Sequence, residues 1–148
     1  MRLAGDRTLG RLVKWLRILG IPCSLISVRD PREIPEDVLL LTRNRCLASP
    51  KTLLVLPDRL EEQLRFVFEK RPALREKISP FTLCLRCNLR LEEVAREEVF
   101  GLVPDFVYET KDHFRRCPGC GRIYWRGSHP ERMTRKLQEL ALMPEIGG

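Results

Sequence analysis

Cys84-Leu-Arg-Cys87 and Cys117-Pro-Gly-Cys120 are two matched Cys-x-x-Cys pairs, and they decide the fold of the second half of this chain. A tetrahedral zinc ion takes four soft or borderline ligands, and each pair supplies two of them from one tight turn. Gly119 and Gly121 let the second turn curl so that amide N–H groups point at the sulfur atoms. The four cysteines are therefore predicted to bind one structural zinc ion, because four thiolates leave no open position for catalysis.

The segment between the pairs, residues 88–116, has 29 residues, more than the roughly 12–20 that are usual at such zinc sites. It has room for secondary structure, and we expect a helix over 90–100 and a strand over 105–108. Two other interpretations of the cysteines stay open. Disulfides would need an oxidising compartment, and a redox Cys-x-x-Cys motif normally occurs once, at the start of a helix that follows a strand.

The composition is that of a globular protein, with 43% hydrophobic and 32% charged residues in a chain of 148. This length fits one medium domain or two small ones. No stretch approaches the roughly 18 uncharged apolar residues that span a bilayer, and the first residues lack the apolar core of a signal peptide. We therefore expect a cytoplasmic protein with reduced thiols and no membrane partner.

The net charge of +7 is concentrated in the first half of the chain. Residues 1–83 contain 16 Lys and Arg against 10 Asp and Glu, whereas residues 84–148 contain 11 against 10. Four cations, Arg7, Arg11, Lys14 and Arg17, recur at spacings of four, three and three, so they share one face of a helix. This face is expected to contact a polyanion such as RNA. The alternatives are a merely solvated face, or one that lies on a membrane surface.

The first half alternates strand and helix patterns. Four short apolar runs predict strands, at 2–5, 23–28, 38–41 and 52–56. Helices are predicted behind an N-cap at Thr8, over 58–70 and over 130–142, with a linker over 72–82. Strands separated by crossovers of this kind predict an α/β fold, with a parallel sheet flanked by helices.

Polar residues follow the predicted strands, namely Asp6, Asp30, Asn44 and Asp58. Ligands of an open parallel sheet bind beyond the carboxyl ends of its strands, so these side chains are expected to gather at one edge. Magnesium and manganese prefer oxygen ligands, and such an ion would activate water and neutralise an RNA phosphate. The alternative is a local role for each acid: Asp6 beside a helix dipole, Asp30 and Asp58 in turns next to proline.

Three stretches together resemble one known family. They are Asp6-Arg-Thr-Leu-Gly-Arg-Leu-Val-Lys-Trp-Leu-Arg-Ile-Leu-Gly20, Leu40-Leu-Thr-Arg-Asn-Arg-Cys-Leu47, and the cysteine pairs with the sequence that follows them up to His129. They are similar to the PIN-like RNase family named after the C-terminal region of the Mut-seven exonuclease. The resemblance implies a PIN-like nuclease-type domain over 1–78, a zinc-ribbon domain with a C-terminal helix over 79–148, and metal-dependent cleavage of single-stranded RNA.

The chain departs from that family in two places. Members usually have Leu-Thr-Arg-Asp where this chain ends in Asn44, and many have a longer segment than 29–37 before this strand. Both departures fall on the predicted metal site, because an Asn oxygen carries no full charge. Asp6 matches the family acid directly, whereas Asp30 and Asp58 are inferred from their positions after strands.

Three functions follow as hypotheses. In the first, an endoribonuclease holds magnesium or manganese with Asp6 and with Asp30 or Asp58, while Asn44 orients the metal or a water molecule. Its RNA backbone contacts would be Arg7, Arg11, Lys14 and Arg43. In the second, the chain has lost catalysis and only binds nucleic acid. In the third, the ribbon docks a protein partner through Tyr124, Trp125 and His129.

Overall fold

The structure is a computed structural model that describes residues 1–125 together with Arg135, Lys136 and Glu139, which are helical. The remainder of the predicted helix over 130–142 lies outside the described residues, as does His129.

The chain divides into two units, Met1–Phe81 and Thr82–Gly148. The functional boundary after residue 78 stays a prediction. In the described part of the chain, no helix is long and apolar enough to cross a membrane.

The first unit is built on a parallel sheet of four strands. They are β1 (Arg2–Gly5), β2 (Cys23–Leu25), β3 (Val38–Thr42) and β4 (Thr52–Leu54), in the spatial order β2-β1-β3-β4. All five residues of β3 are buried, as expected for an apolar run paired on both sides. The predicted α/β fold is therefore confirmed, although β2 and β4 are shorter than their apolar runs.

Two helices flank this sheet, α1 (Gly10–Ile18) and α2 (Leu60–Lys70). The apolar face of α1 is buried through Leu12, Val13, Trp15, Leu16 and Ile18. Gly5 lets α1 approach β1 closely, because a Cβ at this position would lie 2.5 Å from Cγ2 of Val13. The carboxyl end of β1 therefore lies close to the first turn of α1.

The chain enters α1 differently from the sequence prediction. A short 3-10 helix, Arg7–Leu9, precedes α1, and its N-cap is Asp6. The Asp6 backbone is extended (φ −98°, ψ 178°), and its carboxylate accepts the N–H of Thr8. Thr8 as N-cap is therefore wrong, because Asp6 stands directly after the strand and satisfies the first free N–H groups itself.

The predicted linker over 72–82 is partly structured. It contains a 3-10 helix, Pro72–Lys77. The N–H groups of Ser79 and Phe81 donate to the carbonyls of Leu19 and Ile18, at 2.8 and 2.9 Å. The end of the first unit is thus tied back to the end of α1.

The second unit contains an antiparallel sheet of three strands in sequence order, β5 (Glu92–Val94), β6 (Phe114–Arg116) and β7 (Ile123–Trp125). The helix predicted over 90–100 is wrong, because this stretch forms β5 and then a 3-10 helix, Arg96–Val99. The helical pattern is overridden when β5 pairs with β6.

The strand predicted over 105–108 is also wrong, since the stretch forms a helix, α3 (Asp105–Thr110). Its three apolar residues, Phe106, Val107 and Tyr108, are consecutive, and so short a run does not separate the helical period from the strand period. Val107 of this helix packs with Val99, Val103 and Phe114 in one apolar cluster. Packing on this cluster selects the helix.

Candidate functional site

The two cysteine turns have the same backbone geometry. In the first, the N–H of Cys84 donates to the carbonyl of Leu89, and the N–H of Asn88 donates back to the carbonyl of Cys84, both at 2.9 Å. In the second, Cys117 donates to Arg122 and Gly121 donates back to Cys117, again at 2.9 Å. Each turn therefore presents its two thiols in the same way.

The fifth residue of each turn has a positive φ. Gly121 has φ +77° and Asn88 has φ +57°. This region favours glycine and tolerates asparagine better than most residues. The glycine was foreseen from the sequence, but the matching role of Asn88 was not, although an asparagine directly after a Cys-x-x-Cys pair is a usable signal.

The sulfur atoms of Cys84, Cys87, Cys117 and Cys120 all lie within 4.8 Å of one another. The Cys84 and Cys120 sulfurs are 3.7 Å apart, close to the edge of about 3.8 Å that follows from Zn–S bonds of about 2.3 Å in a tetrahedron. All the cysteines are free thiols. The cluster has the donor chemistry and spacing of a four-thiolate zinc site, which confirms the predicted grouping.

Hydrogen bonds surround the sulfur atoms. The N–H groups of Gly119 and Cys120 donate to Sγ of Cys117 at 3.3 and 3.5 Å, and the Tyr124 hydroxyl donates to Sγ of Cys84 at 3.4 Å. Such donors stabilise thiolates and so support metal binding. Gly119 is also required by space, because a Cβ there would lie 2.8 Å from Cδ1 of Leu89.

The thiols are electrostatically unequal. Burial acts to raise the pKa of Cys84, but the hydroxyl of Tyr124 and the amides of Cys87 and Arg86 lower it to about 6. Hydrogen bonding with Cys120 raises the pKa of Cys87 to about 12. Without metal, Cys84 therefore loses its proton more readily than Cys87. A bound cation is what would let all four thiols ionise.

Tyr124 has an internal role. It is buried, and burial, reinforced by its bond to Cys84, raises the pKa of its hydroxyl to about 12, so it remains a neutral donor. The expectation that Tyr124 is presented to a partner is therefore wrong. Trp125 is half-buried and packs against the apolar cluster of Val99, Val103, Val107 and Phe114.

A second candidate site lies where β1 and β3 end. The chain leaves β1 for β2 on one side, and then crosses to β3 on the other side. The order of strands thus reverses between β1 and β3, and this switch point is where open α/β sheets bind ligands. Asp6 directly follows β1, and its side chain is 7% exposed.

Two threonines hold the Asp6 carboxylate. The Thr8 hydroxyl and N–H donate to Oδ1, the latter at 3.0 Å, and the Thr42 hydroxyl donates to Oδ2. Each hydroxyl in turn accepts a backbone N–H, from Arg43 for Thr8 at 3.1 Å and from Asn44 for Thr42 at 3.0 Å. The orientation of the carboxylate is therefore fixed from β3 as well as from its own turn.

Neither threonine was selected from the sequence as a site residue. Thr42 is the last residue of β3, and Gly5 pairs in register with Leu41. A polar residue at the end of a buried apolar strand, beside the end of a neighbouring strand, is the signal that would have identified it.

The remaining predicted site residues have local partners. Asn44 is exposed, and its Oδ1 accepts the N–H of Cys46 at 3.0 Å, which caps a 3-10 helix over Arg45–Leu47. Asp58 forms an ion pair with Arg43 at 2.6 Å. Arg43, predicted to bind phosphate, is thus engaged within the unit.

Asp30 lies five residues beyond the end of β2 and caps a 3-10 helix, Pro31–Glu33. Its hydrogen bonds from the side chain and N–H of Arg32 lower the pKa of the carboxyl. Within the described ranges, the four cysteines are the only group of three or more Cys, His, Asp or Glu ligand atoms placed to hold a metal. Asp6, Asp30 and Asp58 are therefore not brought together as one set of carboxylates.

The predicted basic face is exposed. Arg7, Arg11 and Lys14 lie on the surface, and none forms an ion pair with any residue that the structure describes. Arg17, one turn further, instead donates to the carbonyl of Cys23 at 2.8 Å. Three cations on the helical segment that follows Asp6 are therefore available to an external anion.

A parallel sheet with an anchored carboxylate at its switch point, together with a four-cysteine cluster, defines an α/β protein with a metal site of the zinc-ribbon type. Residues 1–137 match a family model described as the Mut7-C RNAse domain, and the chain belongs to that family. A search of curated proteins and a search of solved structures each return no match.

Proposed function

We propose that this chain is a metal-dependent endoribonuclease that cleaves single-stranded RNA beside Asp6. The observation that carries the proposal is the buried, doubly anchored carboxylate of Asp6 at the switch point of the parallel sheet. A carboxylate of fixed orientation in a crevice is what a divalent ion and its activated water require. Membership of an RNase domain family points to the same chemistry.

The side chains of Asp6, Thr8 and Thr42 offer oxygen atoms as metal ligands, which suits magnesium or manganese. Asp6 would hold the ion, with Asn44 oriented toward the ion or its water. Magnesium is often held by one or two carboxylates together with substrate phosphates, so a single firm carboxylate fits a site that RNA completes. Asp58 would join it only by leaving Arg43, and Asp30 only by leaving Arg32.

The bound ion would supply an activated water molecule and neutralise charge on the scissile phosphate. The chain itself would do the positioning. Arg7, Arg11 and Lys14 would bind backbone phosphates along the 3-10 helix and α1, and Arg43 would join them if RNA displaces Asp58. The two threonines keep the Asp6 carboxylate from rotating toward the cations. The six free thiols and their metal-binding cluster suit the reducing cytoplasm.

The test compares Asp6→Asn with Asp30→Asn in a cleavage assay with labelled single-stranded RNA and manganese. Asparagine still caps the turn after β1, so the fold is preserved. We expect Asp6→Asn to lower the cleavage rate on the order of 100-fold or more, and Asp30→Asn to retain most of it. Equal rates for wild type and Asp6→Asn, or no cleavage by either, would exclude the nuclease.

A second candidate function is an RNA-binding module without catalysis. It is favoured by Asn44 in place of an acid and by the ion pairs that occupy Asp30 and Asp58. Asn44→Asp separates the two functions. Faster cleavage by this variant would show a weakened but intact site, whereas binding without cleavage in both forms would favour the module.

Docking of a protein partner to the ribbon remains a third candidate, supported by the exposed side chains of Phe100 and Phe106, at 71% and 66% exposure. Its test is a pull-down with wild type and Trp125→Ala. Loss of a partner without loss of RNA binding would support it.

A further inference from the structure

A groove of about 550 Å³ lies on the second unit beside the cysteine cluster. Three arginines line it, Arg86, Arg116 and Arg122, together with the apolar side chains of Leu102, Ile123 and Trp125. Cys120, the exposed member of the cluster, also faces it.

The three arginines are exposed, and none forms an ion pair within the part of the chain that the structure describes. Glu92 stands opposite Arg116 in the pairing of β5 with β6, yet the two do not form an ion pair. Arg116 instead lies over the second cysteine turn, with Nη2 3.5 Å from the position that a Cβ would take at Gly121.

Part of this positive charge has an internal explanation. A zinc ion with four thiolates carries a net charge of about −2, and nearby cations offset it. Three guanidinium groups exceed that requirement, and their exposure leaves them accessible to an external anion. Each presents a planar fork of donors that fits a phosphate with two hydrogen bonds.

The apolar lining of the groove selects among anions. Trp125 is half-buried and Leu102 is 60% exposed, so aromatic and aliphatic surface lines the groove together with the cations. Proteins that bind single-stranded nucleic acid combine these two features, with bases stacked on aromatic rings and phosphates on cations. An acidic peptide would match the charges but would leave the aromatic surface unused.

We propose that this groove is a second RNA-binding site, which holds single-stranded RNA by phosphate contacts to Arg86, Arg116 and Arg122 and by base stacking on Trp125. The inference extends the proposed function, because it adds a binding surface to the RNA substrate class proposed for Asp6. It does not depend on catalysis, since a non-cleaving protein would bind RNA through the same groove.

The experiment measures binding alone, with zinc-loaded full-length protein and no added magnesium or manganese. A labelled oligouridine of about 12 nucleotides matches the footprint of such grooves. Fluorescence anisotropy would follow wild type and the single variants Arg86→Gln, Arg116→Gln and Arg122→Gln. Each should raise Kd about 5-fold at 0.1 M salt and lower the slope of log K against log salt by about 0.7.

Arg90→Gln is the matched control, because it removes the same charge from the same unit, and Arg90 does not line the groove. Zinc content is measured for every variant. Variants that keep zinc and still bind like wild type would overturn the proposal. Loss of zinc from all three would also overturn it, because the arginines would then serve only to neutralise the cluster.

Two further readouts complete the test. In a Trp15→Phe background, RNA should quench the fluorescence of Trp125. If RNA saturates the protein and the fluorescence is unchanged, base stacking on Trp125 is excluded. Polyglutamate of equal length should bind weakly, and equal affinity would reassign the groove to acidic peptides. Failure of the nuclease proposal is recognised separately, as unchanged cleavage by Asp6→Asn, whereas this assay contains no cleavage step.

Discussion

The hydroxyl of Thr42 donates a hydrogen bond to the carboxylate of Asp6, although 36 residues separate them in the sequence. The contact joins the ends of β1 and β3, the two strands that flank the switch point. Thr42 is fully buried, and its oxygen also accepts the N–H of Asn44. Thr42 thus connects the Asp6 carboxylate to the segment that follows β3 through these two hydrogen bonds.

Removal of this hydroxyl should destabilise the first unit. Thr42→Val leaves a buried carboxylate oxygen and the Asn44 N–H each without a partner, so we expect a loss of about 1–3 kcal/mol of unfolding free energy. Thr42→Ser keeps the hydroxyl and should lose less. The measurement is urea unfolding followed by the fluorescence of Trp15 in a Trp125→Phe background. Equal losses in both variants would assign the role of Thr42 to packing.

Removal of zinc should unfold the second unit selectively. Its sulfur cluster ties the two cysteine turns together, and structural zinc supplies apparent folding free energy on the order of 10 kcal/mol. In a Trp15→Phe background, chelation should shift the emission of Trp125 toward that of an exposed tryptophan. Unchanged emission after metal analysis has shown complete removal would contradict a structural zinc ion.

Substitution at the positive-φ positions should distinguish the two cysteine turns. Gly121→Ala forces a Cβ into a φ of +77° and should cost about 1 kcal/mol or more. Asn88→Gly places glycine at the matching position, where it relieves the backbone, and should cost less than Gly121→Ala. Unfolding of the zinc-loaded protein measures both. A neutral Gly121→Ala would show that this backbone conformation is not needed.

Two cysteines outside the cluster should differ in reactivity. Cys23 is buried, and burial raises the pKa of its thiol to about 12, whereas Cys46 is exposed. The sequence suggests a core thiol at both positions, since each adjoins an apolar stretch, and for Cys46 this is wrong. Iodoacetamide followed by mass spectrometry should label Cys46 quickly and Cys23 only after unfolding.

The pKa of Cys23 also predicts a dependence of stability on pH. Below the ordinary thiol pKa of about 9, the thiol is protonated in both states and contributes no pH dependence. Between about 9 and 12 the unfolded chain loses this proton while the folded chain keeps it, so stability falls as pH rises. Cys23→Ala should flatten the plot of unfolding free energy against pH in this range. An unchanged slope would show that the Cys23 thiol does not cause the loss of stability.

The sequence was most informative where one local pattern dominates. The run Val38-Leu-Leu-Leu41 is short and wholly apolar, which favours a buried strand, and it forms one of the two central strands of the sheet. The cysteine pairs carry their geometry in their spacing. For these elements, burial of apolar surface and metal ligation act in the same direction as local preference.

The errors arose where distant partners decide the outcome. Glu92–Val94 becomes a strand because β6 lies beside it, and Asp105–Thr110 becomes a helix because Val107 packs on Phe114. The acids show the same limitation. Position after a strand predicted that Asp58 lies near the sheet edge, but not that Arg43 would engage it at 2.6 Å. A sequence does not reveal with which Lys or Arg side chain each carboxylate will form an ion pair.

When the four cysteines bind a metal ion, they would close residues 88–116 into a loop. Closure costs chain entropy that grows only slowly with length, so an insertion at an exposed point of this loop should be tolerated. An insertion or deletion of one residue between the two cysteines of either turn would instead disrupt the metal site. Over evolution, relatives of this chain should therefore vary in the length of the loop, while the spacing within each Cys-x-x-Cys pair stays constant.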